Sequence, residues 1–169
     1  MTFSGKTDAR EELQMLTFSL DNVLYGVNVN QVREVKNLET VTPIPNVPPY
    51  VCGVTNLRGE VIPVINLRKR FNIAESKKEN SIMIIVQDKH PVGIMVDSVM
   101  EVLTLPKSNY ENSTKDLIVD KSEAVLGVAK HDEDLIVLLD LIKVASRDGV
   151  NLGEDKKGFQ IQTEKQPNP

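Results

Sequence analysis

Few side chains in this 169-residue sequence have the types and spacing that chemistry requires. His90 and His131 are the only two histidines, and His131 precedes an acidic turn from Asp132 to Asp134. Such a turn could hold a metal ion, and a metalloenzyme is one hypothesis for it. No second histidine stands at the spacing of a zinc site, however, so a solvated turn is the simpler interpretation. We therefore predict no metal and no cofactor.

The nucleophile and phosphate motifs are incomplete. Gly5-Lys6-Thr7 matches the end of a P-loop, but neither the earlier glycine nor a preceding strand has room before it. Cys52 is the only cysteine, so no intrachain disulfide can form, which fits a reducing cytosol. It lies in an apolar run, where we expect a buried and inert thiol without a catalytic partner. We predict no catalytic residue and no enzymatic activity.

Charge and hydropathy limit the partners. The net charge is -4 and the pI is about 5.3, which argues against binding to nucleic-acid phosphates. The basic run Arg68 to Arg70 is interpreted as a solvated helix end. No signal peptide or membrane-spanning run is recognisable, so we expect a cytoplasmic protein without direct membrane insertion.

An internal repeat organises the chain. Residues 15–35 align without a gap over 82–102, and residues 53–69 align without a gap over 127–143. The matches in the first alignment are Asp21/Asp88, Gly26/Gly93, Val29/Val96, Val32/Val99, Glu34/Glu101 and Val35/Val102. Short apolar runs between turn residues favour strands, so the repeat predicts a mainly β protein with two similar subdomains in tandem.

The predicted boundaries follow from the repeat and from composition. Residues 1–13 form a flexible arm, 14–80 the first subdomain, 81–145 the second, and 146–169 a disordered polar tail. Each copy should contain a strand, a turn, a second strand, a short helix holding Val32 or Val99, and a closing hairpin.

The closing hairpins carry turn and capping signals. Arg58-Gly59 suits a two-residue turn, because glycine tolerates the positive φ that such turns need. Asn66 and Asp140 can each cap a short helix after the hairpin.

The two copies differ at the hairpin tip, where "LRGE" in the first corresponds to "HDED" in the second. The hairpin itself therefore does not require Arg58. The arginine is either a solvated turn residue or a donor of hydrogen bonds to a partner.

The repeated valines also leave two alternatives open. A spacing of three would place each set on one helical face, as core or as the lining of a groove between the subdomains. A partner helix could lay its apolar face in such a groove, with Glu34 and Glu101 at the rim.

The run "MLTFSLDNVLYGVNVNQVREV" and the later run "VTPIPNVPPYVCGVTNLRGEVIPVINLRKRF" resemble the CheW-type chemotaxis coupling proteins. The most specific part is "GVTNLRG…P…NLR", and the resemblance covers residues 14–145. It implies two packed, five-stranded SH3-like barrels with short helices and no enzymatic activity. It also implies an adaptor that joins the cytoplasmic tips of methyl-accepting chemotaxis receptors to the regulatory domain of the histidine kinase CheA.

The resemblance implies site residues as well. By position, the receptor-binding residues are Val29, Val32, Glu34 and Arg58. The internal repeat adds Val96 and Val99 to this set. Leu117 and Ile118, apolar residues in the polar loop 106–123, are candidates for the kinase-binding surface. The resemblance also implies that the protein is recruited to membrane-associated receptor arrays.

Two other functions remain open from the sequence. A related coupler could serve a non-flagellar chemosensory pathway. A tandem small-barrel protein could instead bind nucleic acid, although the basic face and stacking aromatics that this requires are missing.

Overall fold

The structure is a computed structural model that describes residues 12–37, 40–74, 76–77, 81–111 and 124–145. The predicted kinase-binding residues Leu117 and Ile118 lie outside the described residues, as do residues 1–11 and the tail 146–169.

The described residues form eleven strands and four short helices. The strands are β1 (Glu12–Leu20), β2 (Val23–Asn28), β3 (Val32–Asn37), β4 (Val51–Leu57), β5 (Glu60–Asn66), β6 (Ser81–Gln87), β7 (His90–Val96), β8 (Ser98–Pro106), β9 (Tyr110–Glu111), β10 (Val125–His131) and β11 (Asp134–Leu139). The α-helices are α1 (Leu67–Arg70) and α2 (Leu141–Ala145), and the 3₁₀ helices are η1 (Val29–Gln31) and η2 (Lys107–Asn109). The predicted mainly β fold is confirmed. Strand β1 begins at Glu12, so the predicted arm 1–13 was drawn two residues too long.

The strands form two sheets that do not follow the two halves of the chain. Sheet I has six strands in the order β8-β1-β2-β11-β10-β9, and sheet II has five in the order β3-β6-β7-β5-β4. The hairpin β1–β2 thus joins the C-terminal strands, and the hairpin β6–β7 joins the strands of the first copy. The boundary predicted between residues 80 and 81 was wrong, because it cuts sheet II in two. The chain crosses between sheets after β2 and again after β7.

Each copy contains the predicted first and closing hairpins in the predicted order, and the exchange of strands between the copies is reciprocal. Strand β3 pairs with β6 through Val32 opposite Ile85, and β8 pairs with β1 through Val99 opposite Phe18. These pairs are equivalent in the alignment of the two copies. Each sheet therefore contains the first hairpin of one copy and the remaining strands of the other.

The predicted helices around Val32 and Val99 are strands. Strand β3 alternates half-buried and exposed positions, so Val32 is half-buried while Val35 is exposed. The spacing of three suggested one helical face, but β-branched valines also favour strands. Both crossing strands carry a register shift near these valines, which changes the simple alternation of faces.

The core consists of three clusters, and the largest lies between the sheets. It combines Phe18 and Val27 of sheet I with Met83 and Ile94 of sheet II. A second cluster lies on the other face of sheet II and a third on the other face of sheet I. Central strands such as β6 are buried on both faces, which explains their unbroken apolar runs.

The turn and cap predictions are confirmed. Arg58 and Gly59 have φ values of 51° and 87°, as a tight hairpin turn needs. The Asn66 side chain accepts a hydrogen bond from Lys69 N at 3.2 Å, and Asp140 Oδ1 accepts one from Ile142 N at 3.0 Å. Both short helices therefore begin at a capped residue.

The basic run Arg68 to Arg70 is not a solvated helix end. Arg68 and Arg70 are 2% and 3% exposed. Arg68 donates from Nε to Asp97 Oδ1 at 2.8 Å and from Nη2 to Asp97 Oδ2 at 2.7 Å. Burial of an arginine is tolerable here because a carboxylate meets its guanidinium with two parallel bonds.

Candidate partner-binding surface

The β4–β5 turn presents Arg58 to solvent. The Asn56 side chain accepts a hydrogen bond from Gly59 N at 2.9 Å across the turn, which stabilises its tight conformation. The Arg58 side chain is 66% exposed. The hairpin below it is anchored by buried residues on β5, including Ile62 and Val64. An exposed guanidinium thus stands on a rigid support.

Glu34 of strand β3 is the partner of Arg58. The Arg58 Nη1 atom donates to Glu34 Oε1 at 3.4 Å, and Nη2 donates to Oε2 in a shorter contact, so the two planar groups face each other. The hydrogen bond from Arg58 lowers the pKa of the Glu34 carboxyl, and the same bond raises the pKa of Arg58. The pair therefore stays charged throughout the neutral range.

Two of the valines predicted to bind the receptor, Val29 and Val32, lie close to Glu34 in the chain. Val32 and Glu34 are both half-buried positions of β3, and Val32 packs against the core between the sheets. Val29 is the first residue of η1 and is half-buried. Asn28 caps η1 by accepting a hydrogen bond from Asn30 N at 2.8 Å. We call Val29, Val32, Glu34 and Arg58 the β3 surface.

The two valines added from the repeat behave differently from their counterparts. Val96 is fully buried in the core between the sheets, so its predicted place in an open groove was wrong. It ends strand β7, whereas its counterpart Val29 has already left strand β2. Val99 lies in β8 and packs half-buried against the same core. The repeat therefore matches the elements but not the exposure of every side chain.

The residues considered for metal or thiol chemistry, His131 and Cys52, are not part of a recognisable metal site among the described residues. His131 Nε2 lies 3.7 Å from Asp132 Oδ2, an ion pair only when the imidazole is protonated. Within the described ranges, no group of three His, Cys, Asp or Glu residues is placed to hold a metal ion. Cys52 is partly buried, not fully buried as predicted, and its thiol lies 3.4 Å from Val64 O.

Sequence reasoning missed one contact close to the β3 surface, made by Gln31. Gln31 of η1 donates from Nε2 to Asp140 Oδ1 at 2.9 Å and accepts at Oε1 from Leu141 N at 3.0 Å. Asp140 was predicted as a cap, but its second bond joins residues 109 positions apart. The equivalent position in the second copy is Ser98, so the repeat provided no signal for this contact.

The fold and the site together define a binding module with two β subdomains. The family model of the CheW-like domain matches residues 14–149. The chain is 32% identical over 143 residues to the chemotaxis protein CheW of Treponema pallidum, which covers 80% of this chain and 84% of that protein. It is also 32% identical over 151 residues to CheW of Klebsiella aerogenes, covering 88% and 89% of the two chains.

A solved structure agrees with these matches. The crystal structure of the scaffolding protein TtCheW from Thermoanaerobacter tengcongensis superimposes with a TM-score of 0.73 and 33% identity. The match covers 82% of this chain and 96% of that one. The chain belongs to the CheW-like family, and it is therefore a chemotaxis-type scaffold and not an enzyme.

The family match also extends beyond the predicted end of the ordered chain. It runs to residue 149, four positions past the predicted boundary at 145.

Among the described residues, no helix has the length and apolar character needed to cross a membrane.

Proposed function

We propose that this protein is a non-catalytic adaptor that couples methyl-accepting chemotaxis receptors to a CheA-type histidine kinase. The observation that carries the proposal is the ion pair between the exposed Arg58, at the tip of the β4–β5 hairpin, and Glu34 of strand β3. A binding role requires no catalytic groups near Arg58, but it does require that the arginine is held in a fixed position. Family membership supports the same role, since the named relatives are chemotaxis and scaffolding proteins.

The β3 surface has the composition of a small binding site for a helix. Val29 and Val32 offer half-buried apolar contacts, and Arg58, paired with Glu34 of β3, has a side chain that is 66% exposed. Arginine is enriched among the residues that contribute most to interfaces. A receptor helix would lay an apolar side chain on the valines and present a carboxylate or a carbonyl oxygen to Arg58.

The kinase would bind elsewhere on the molecule. Leu117 and Ile118 remain the candidates for this contact, and the regulatory domain of the kinase is the expected partner. With both partners bound, the protein would be held in membrane-associated receptor arrays through its contacts and not by insertion. Neither a cofactor nor a metal has a part in this mechanism.

Reconstitution tests the proposal directly. A purified CheA-type kinase and a receptor cytoplasmic fragment are mixed with and without this protein, and kinase autophosphorylation is followed from labelled ATP. We expect kinase control by the receptor to depend on added protein. A matched receptor and kinase that show neither dependence nor binding would reject the coupling role.

The variant Arg58→Ala then tests the surface. It removes the exposed guanidinium and frees the Glu34 carboxylate, so we expect affinity for the receptor fragment to fall about tenfold. Titration calorimetry measures the change, and circular dichroism should show an unchanged fold. Arg33→Ala is the matched control, because Arg33 is an exposed residue of β3 at an outward-facing position. Equal affinity of Arg58→Ala and wild type would remove Arg58 from the site.

A further inference from the structure

The first 3₁₀ helix holds part of the β3 surface with little packing of its own. Helix η1 has three residues, and none of them is buried. Its single turn is closed by a hydrogen bond from Val32 N to Val29 O. So short a helix is unstable alone, because few backbone bonds offset the entropy of ordering it. The Asn28 cap is local, so an anchor to the core would further fix the position of Val29.

Gln31 supplies this anchor with both ends of its amide. Nε2 donates to Asp140 Oδ1 at 2.9 Å, and Oε1 accepts from Leu141 N at 3.0 Å. The pair of bonds fixes the orientation of the amide, since exchanging its oxygen and nitrogen would break both. The amide thus joins η1 to the first turn of α2.

Helix α2 is a firm support for that anchor. Leu141, Val144 and Ala145 are fully buried in the core between the sheets. Two residues from the sheet II side also donate to its carbonyls: Arg70 Nε to Val144 O at 3.0 Å, and Gln87 Nε2 to Ile142 O at 3.3 Å. Burial of three side chains and these two long-range hydrogen bonds therefore fix α2, and the Gln31 amide connects that support to η1.

We infer that Gln31 is a positioning residue for receptor binding. It does not touch the receptor itself but holds η1, and with it Val29, at a fixed place relative to the core. This inference rests on the proposed function, because it assigns the β3 surface to the receptor. It predicts that receptor affinity depends on a hydrogen-bond pair on the side of η1 that faces α2.

The variant Gln31→Glu tests the inference through pH. A glutamate can still accept from Leu141 N, but its second oxygen meets the Asp140 carboxylate, and the two like charges repel each other. One shared proton restores an O–H···O bond as the pH falls. We expect receptor affinity about tenfold below wild type at pH 7.5 and mostly recovered at pH 5. Glu34 remains charged at pH 5 because Arg58 lowers its pKa.

Two controls separate positioning from charge and from folding. Asn30→Asp adds the same charge at the neighbouring exposed position of η1 and should bind like wild type at both pH values. Gln31→Met keeps the side-chain length without hydrogen bonds, so its affinity should be low at every pH. Wild type is titrated alongside as the pH control, because the charged Lys107 lines the same open cavity as Gln31 and Asp140. Kinase binding should be unchanged in all variants.

The outcomes are distinct. Wild-type affinity of Gln31→Met, or a loss in Gln31→Glu that is equal at both pH values, overturns the inference. If wild type itself does not bind receptor, the proposed function fails, and hydrogen exchange still decides on Gln31. The Val32 amide closes η1, so its exchange should accelerate in Gln31→Glu at pH 7.5 relative to Asn30→Asp. No acceleration would show that Gln31 does not hold η1.

Discussion

For Arg58, the turn conformation could be predicted from the sequence, but the contact with its partner could not. The difference between "LRGE" and "HDED" indicated that the hairpin fold does not require an arginine at position 58. The turn at Arg58 has the predicted conformation. Its partner Glu34 was predicted as a charge at a groove rim and as a receptor-binding residue, but not as the partner of Arg58. The contact joins residues 24 positions apart, between strand β3 at one edge of sheet II and the β4–β5 turn at the other.

Val32 and Val96 allow a matched test at the scale of the residue. Val32 is half-buried and Val96 is fully buried, although both were predicted to bind the receptor. Val96→Ala should lower the free energy of unfolding by about 2–3 kcal/mol, because it empties a closed core site. Val32→Ala should cost about 1 kcal/mol or less, while weakening receptor binding.

Urea unfolding and calorimetric titration measure these two effects. A loss of stability in Val32→Ala as large as that in Val96→Ala would assign Val32 to the core alone. Unchanged receptor binding in Val32→Ala would count against its place in the β3 surface.

The hairpins were predicted well because their signals are local. Strands β4 and β5 form the hairpin predicted around Arg58-Gly59, and the repeat located the matching hairpin β10–β11. Gly53 and Gly127 are identical in the two copies, and each sits at a register shift with φ of 145° and 153°. The strands β3 and β8 were predicted as helices, because their pairing partners lie in the other copy.

Gly53→Ala tests the bulge at the scale of the element. A Cβ there would lie 2.0 Å from Thr42 O, which is the acceptor of the 2.8 Å bond from Val54 N. The backbone angle is also one that alanine rarely adopts. We expect a loss of about 3 kcal/mol or more in thermal or urea unfolding, or failure to fold.

Gly59→Ala is the control for that prediction. Gly59 also has a positive φ, but a Cβ at this position meets nothing within 4 Å. Only conformational strain remains, worth about 1 kcal/mol. Equal small losses in the two variants would mean that the close approach of Thr42 to Gly53 does not matter.

At the scale of the whole molecule, a buried ion pair connects the sheets. Arg68 follows β5 of sheet II, and Asp97 lies where the chain crosses to sheet I. Asp97 Oδ2 also accepts from Asp21 N at 2.9 Å, in the β1–β2 turn of sheet I. The cluster thus fixes the crossing point against both sheets.

Arg68→Met should destabilise the molecule by about 3–5 kcal/mol, since it leaves the Asp97 carboxylate buried without its cation. The double variant Arg68→Met with Asp97→Asn should recover much of this loss, because the buried charge is then absent. A double-mutant cycle in urea unfolding measures the coupling. Strictly additive losses would show that the two side chains act independently.

The sequence by itself determined the local features and the family of this protein. Turns at Asp21 and Arg58, caps at Asn66 and Asp140, and the repeat of elements all follow from residues close together in the chain. Such features depend on backbone preferences and short-range hydrogen bonds, which a sequence shows directly.

Only the tertiary structure decided which copy each strand joins, and with that the exposure of each valine. Val29 and Val96 are identical in the alignment, yet one is half-buried and the other fully buried. The pairings of β1 with β8 and of β3 with β6 are set by how the apolar faces of two sheets meet in one core. That packing depends on contacts between distant residues, and the same distance hides the bonds of Gln31, Glu34 and Asp97 from any local pattern.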